Sequence, residues 1–139
     1  MKEKYTVSED GFVGYWHPAG GHEGRAIIVF PGSGADYELT RKGSEFLRKA
    51  GWNCLLVGFA GWDGLPEDPV LAPVEYAERA VDVLKEAGYE KIAMYGISAG
   101  AKFAITAASF IPDVSLVIAG SPFDYTTEAF KGTKALNKS

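Results

Sequence analysis

The chain is poor in the residues that most often announce a chemistry, with one cysteine and two histidines in 139 residues. A lone cysteine, Cys54, excludes an internal disulfide. Its neighbours Leu55, Leu56 and Val57 describe a small buried hydrophobe and not a reactive thiol. His17 and His22 come without a cysteine or carboxylate cluster, so they make no metal site and read as surface or turn residues. Charge of one sign is also scarce. Fourteen Lys plus Arg against eighteen Asp plus Glu leave a net charge of -4, which gives no basic footprint for nucleic acid or for an anionic lipid surface. Long apolar runs are missing too: residues 27–30, 54–60 and 116–119 fall far short of the roughly 20 needed to cross a bilayer. The first ten residues hold no apolar core of a secretory signal, so the expected location is the cytoplasm.

What the chain does have is a regular alternation of short apolar runs with helical patterns, undivided by repeats or linkers. Its length suits one domain with a sizeable core. Residues 12–16 read as an early strand and residues 27–30 as a central one, β-branched and apolar on both faces. From Leu39 a stripe through Gly43, Phe46, Leu47 and Ala50 predicts a helix, with Asp36 as its cap and Gly51 as its stop. Cys54 to Val57 is the next strand, and residues 58–69 form a long loop dense in Gly, Asp and Pro, of the kind that often carries function. Pro73 opens a second helix whose stripe is Ala77, Ala80, Val81, Leu84 and Ala87, ended by Gly88. Ile92 to Tyr95 is a strand. Residues 101–111 are apolar almost all round, which predicts a helix buried between layers, and Leu116 to Ala119 is one more buried-type strand. Strands alternating with crossover helices give a mostly parallel sheet covered on both faces, an α/β fold.

Gly96-Ile97-Ser98-Ala99-Gly100 matches Gly-x-Ser-x-Gly between a strand and a helix, the setting in which a serine sits on a sharp, strained turn with its hydroxyl presented above the sheet. Gly96 and Gly100 leave room for strand and helix to approach closely. Ser98 is the candidate nucleophile, and such a hydroxyl needs a base and an oxyanion hole. Phe30-Pro31-Gly32-Ser33-Gly34 leaves another central strand as a glycine-rich loop, so the N-H groups at Ser33 and Gly34, with that of Ala99, are the candidate oxyanion donors. The same loop is a poor dinucleotide site, since Tyr37 stands where a third glycine belongs.

These residues resemble the α/β-hydrolase superfamily, and more narrowly the catalytic domain of the acyl-CoA thioesterase and bile acid-CoA:amino acid N-acyltransferase family, over about residues 11 to 125. The narrower likeness rests on the Phe30 to Gly34 loop, the Phe46 to Trp52 helix end, and Leu65-Pro66 followed by Pro73-Val74-Glu75-Tyr76, together with the elbow and its Ala-rich helix. The resemblance implies a truncated α/β-hydrolase fold and a serine acyl hydrolase or acyltransferase working through an acyl-enzyme on Ser98. Its substrate would be a small acyl ester or thioester, acyl-CoA among them, and no cofactor or metal is implied. Arg41-Lys42, Arg48-Lys49 and Lys102 are candidates for coenzyme A phosphates, against the plainer reading of a solvated helix face.

In this fold the acid and then the histidine follow the serine, and no histidine follows Ser98. Asp124 is a candidate acid, Asp113 reads as a turn, and Asp63 as bonding its own loop backbone. Trp62 either lines an acyl pocket or packs the loop. The expected domain is 1–139, lacking the usual last strands, with a polar tail over 126–139. Such a chain leaves residues 116–119 as a bare sheet edge, which invites a second chain, another copy or further residues. The alternative to a weak enzyme is a non-catalytic binding or assembly subunit that keeps half of the hydrolase fold.

Overall fold

A computed structural model of the protein describes residues 1–20, 24–32, 36–67, 74–120, 130–131 and 134–135. In chain order they form β1 (Lys4–Tyr5), α1 (Val7–Asp10), β2 (Val13–His17), β3 (Arg25–Phe30), α2 (Tyr37–Gly43), α3 (Glu45–Lys49) and β4 (Asn53–Gly58). Then follow α4 (Val74–Glu86), β5 (Lys91–Ile97), α5 (Ala99–Phe110), β6 (Val114–Gly120), β7 (Phe130–Lys131) and β8 (Lys134–Ala135). Six strands make one mixed sheet in the order β1-β2-β4-β3-β5-β6, and β7 pairs with β8 apart from it. β1 and β2 run antiparallel to their neighbours, while β4, β3, β5 and β6 are parallel. This is the α/β architecture expected from the alternation of strands and helices.

Strand parity sorts the core into two layers. Ile28 and Phe30 of β3, Leu55 and Val57 of β4, and Ile92 and Met94 of β5 pack with Ala77, Ala80, Val81 and Leu84 of α4 and with Ala104 and Ala107 of α5. On the other face Ile27, Val29, Cys54, Leu56 and Ala93 pack with Leu47 of α3 and with Trp62. Both faces of the central strands are therefore dry, as their uninterrupted apolar runs require.

Four expectations need correction. The single helix from Leu39 to Ala50 is two short ones, because the buried Ser44 turns its hydroxyl back onto the Arg41 carbonyl at 2.8 Å. Its stripe does not face the core as a whole: Leu47 is buried, but Leu39 and Phe46 are 61% and 54% exposed. The helix over residues 101–111 is buried on one side only, leaving Ile105 and Phe110 in solvent. The last strand is not of the buried type, since Leu116 and Ile118 are 46% and 37% exposed on the outermost strand. His17, read as the start of a turn, ends β2.

Asp36 does cap α2, its carboxylate accepting the Leu39 N-H at 2.8 Å, and Gly51 and Gly88 take positive φ where those helices stop. Pro73, the expected start of α4, lies outside the described residues. No helix among those described is long and apolar enough to cross a membrane.

Candidate active site

β5 runs two residues further than its apolar run predicts, to Ile97, and α5 begins at Ala99. Ser98 alone joins them. Its φ of 59° and ψ of -120° make it the one non-glycine residue at positive φ among those described. Holding a side chain in such a region costs on the order of 1–3 kcal/mol and persists only where the surroundings impose it. Here they impose it from both sides. The Ser98 N-H donates to the Gly120 carbonyl at 2.9 Å, continuing the β5–β6 ladder one residue into the turn. The Ser98 carbonyl accepts from the N-H groups of Ala101 and Lys102, which commits the chain at once to helix.

The two flanking glycines are required by contact. A Cβ at Gly96 would run into the carbonyl of Gly100, and one at Gly100 into the carbonyl of Pro31. Strand, helix and the end of β3 thus meet backbone to backbone. Gly32 belongs to the same stack, since a Cβ there would lie 3.3 Å from the Ile97 carbonyl oxygen. Ser98 is partly exposed. Ala99 is the first residue of α5, whose leading N-H groups have no acceptor within the helix and sit at the positive end of its dipole. Of the other candidate site residues, Ser33, Gly34 and Asp124 lie outside the described residues.

Beside the elbow, on the α2 side of the sheet, is a hollow of about 200 Å³. Val29, Pro31, Leu39, Tyr95 and Ile97 give it apolar walls. Thr40 adds mainly its methyl, for its hydroxyl already donates to the Asp36 carbonyl at 2.9 Å. Sequence reading did not find this hollow. Its traces were a leucine and a glycine, Leu39 and Gly43, at positions that a core-facing stripe would fill more tightly.

The remaining candidates lie elsewhere. His17 pairs in register with Cys54 near the start of β4, the opposite end of the sheet from Ser98, and its Nε2 is 2.6 Å from the Tyr37 hydroxyl. Burial, followed by the charges of Arg48 and Arg41, holds its pKa below the ordinary histidine value. Burial likewise raises Tyr37. Trp62 is buried over Gly58, where a Cβ would sit 2.5 Å from its ring, and it packs against Tyr15 and Tyr37, which fills the loop and leaves it out of the hollow. Asp63 reaches Lys4 at 3.4 Å, not its own backbone. Asp113 pairs with Lys85 at 3.2 Å. Arg41 and Arg48 each pair with a glutamate of their own helix, Glu38 at 2.9 Å and Glu45 at 2.8 Å, the behaviour of solvated helix faces. Cys54 is buried, and desolvation pushes its thiol up to about 12. Among the described residues no three His, Cys, Asp or Glu side chains gather as metal ligands would.

No family model matches the sequence, and no curated protein matches it. Solved structures do. An esterase from Pyrococcus furiosus is similar over 86% of this chain and 49% of its own, at 24% identity and a TM-score of 0.69. An α/β hydrolase from Penicillium sp. is similar over 86% of this chain and 44% of its own, at 27% identity and a TM-score of 0.64. A putative α/β hydrolase from Agrobacterium tumefaciens is similar over 88% of this chain and 62% of its own, at 15% identity and a TM-score of 0.69. The chain thus spans about half the length of the first two.

Proposed function

We propose, from a chain that carries the fold of the α/β hydrolases, that Ser98 is the nucleophile of an acyl-transfer site. The observation that carries this reading is the strained, partly exposed serine, held between two glycines that cannot bear a Cβ. A structural turn has no need of that strain, and glycine would serve there without it. The Ser98 Oγ attacks the carbonyl carbon of an ester or thioester, and its proton passes to a base. Negative charge on the carbonyl oxygen is met by the Ala99 N-H and by those of Ser33 and Gly34. The alkoxide or thiolate departs with the proton, leaving an acyl-enzyme that water resolves to the acid. Asp124 is proposed as the acid that orients the base. The narrower assignment, an acyl-CoA thioesterase or N-acyltransferase, rests on the short Leu65-Pro66 and Pro73-Val74-Glu75-Tyr76 likeness.

A second reading has one observation in its favour. No histidine follows Ser98, and His17 is committed to Tyr37 at the far end of the sheet. On that reading the chain is a binding or assembly subunit in which the elbow survives without turnover. Incubation with a fluorophosphonate probe, beside Ser98→Ala, separates the two. Covalent labelling that disappears in the variant supports the nucleophile, and equal signal from both chains defeats it.

A further inference from the structure

The hollow beside Ser98 has a closed floor and an open rim. Val29 and Thr40 are buried, whereas Leu39 and Ile97 stand half in solvent or more. None of the described residues that line it is charged. Apolar walls left in water are unfavourable, so the hollow suits an apolar occupant. Its position ties it to the candidate nucleophile. Ile97 is both the residue before Ser98 and a wall of the hollow. Gly32 also lines it, and belongs to the backbone stack under the bend.

We propose that the hollow seats the acyl chain of the substrate and limits it to medium length, about six to eight carbons, with Gly43 setting that limit. The bond between that acyl chain and Ser98 rests on the acyl-transfer reading; the hollow's fit to an apolar chain of this size does not. An apolar cavity of about 150 Å³ holds a benzene molecule, so one of about 200 Å³ admits the carbons just stated. It is smaller than the roughly 300–1,000 Å³ pockets that enclose drug-sized ligands, so a leaving group as large as a coenzyme stays outside. The chemistry chooses which half of the substrate enters. The acyl group stays bonded to the serine through the intermediate and gains from a fixed seat one residue away, while the alcohol or thiol has to depart.

Gly43 keeps the hollow open. It is the last residue of α2 and lines the hollow, and a Cβ built on it meets nothing within 4 Å. Its φ is not positive, so a larger side chain enters without backbone strain and takes up the occupant's volume.

The test labels the purified protein with alkyl fluorophosphonates whose phosphorus-bound chain grows from ethyl to dodecyl, beside Gly43→Ala, Gly43→Leu and Ser98→Ala. Labelling should quicken by about fourfold for each methylene buried, stop quickening between about six and eight carbons, and vanish in Ser98→Ala. Gly43→Ala should lower the limit by about one carbon and Gly43→Leu by about four, the carbons each side chain adds. The alanine variant favours the helix and carries the test if leucine unfolds the protein. In parallel, octanoate is titrated into wild type and the Gly43 variants and followed by the backbone amide NMR shifts of Thr40 and Tyr95. Saturable shifts are expected in wild type and are lost in Gly43→Leu. Labelling that ignores chain length, that keeps quickening through dodecyl, or that holds its limit in both Gly43 variants overturns the proposal and leaves Ser98 a nucleophile. No labelling by any probe, with octanoate still bound at the hollow, removes the acyl-transfer reading and upholds the seat. No labelling and no octanoate shifts defeat both.

Discussion

Strain at a single residue is measurable as stability. Ser98→Gly keeps the backbone at a φ of 59° without a Cβ to oppose it, so the urea midpoint should rise by the equivalent of about 1 kcal/mol. Ser98→Ala keeps the Cβ and should leave the midpoint nearly unmoved. A fall in both variants would show that the hydroxyl, and not the backbone, dominates the turn. His17 makes a different prediction. Its folded pKa lies below the ordinary 6.5, so the unfolded chain binds the extra proton first as acid is added. The stability tied to its neutral form is therefore complete above pH 6.5 and drains as pH falls through that value. Melting temperatures of the wild type should drop between pH 7.5 and 5.5, and those of His17→Gln should drop less; parallel curves would discount the histidine.

At the scale of elements, caps and periodicities were legible and burial was not. Asp36, Gly51 and Gly88 could be placed because capping is a local matter of one carboxylate or one positive φ. Asp36→Ala should cost about 0.5–2 kcal/mol by thermal or urea unfolding, since the Leu39 N-H loses its acceptor. The break between α2 and α3 was missed because a serine bonding back to Arg41 leaves no mark on an apolar stripe. The apolar patterns themselves gave the wrong burial for Leu39, Phe46, Ile105, Leu116 and Ile118, each apolar and each between 37% and 61% exposed. Periodicity reports which face would be covered if something lay against it, and says nothing of whether that neighbour is present. The strand-to-helix bend at Ser98 was the most legible part of the candidate site, because only glycines allow carbonyl contacts like those of Gly96 and Gly100. The hollow beside it depends on the packing of α2 against β3 and β5, which no local pattern encodes.

For the whole molecule, the two sides of that distinction should separate in one experiment. Leu84, fully buried between α4 and the sheet, should cost about 2–5 kcal/mol when cut to alanine. Leu116→Lys in the isolated chain should stay within about 0.5 kcal/mol of wild type and bind less of a hydrophobic dye. A large loss from Leu116→Lys would mean that the outer strand is already part of the folded core. The hydrogen bond from Ser98 to Gly120 ties this margin of the sheet to the bend between β5 and α5. The last residue of the marginal strand is one of the struts under the proposed nucleophile, so fraying there slackens the bend and clamping it makes the bend taut. The set of the strained turn is thus partly decided at the rim of the sheet.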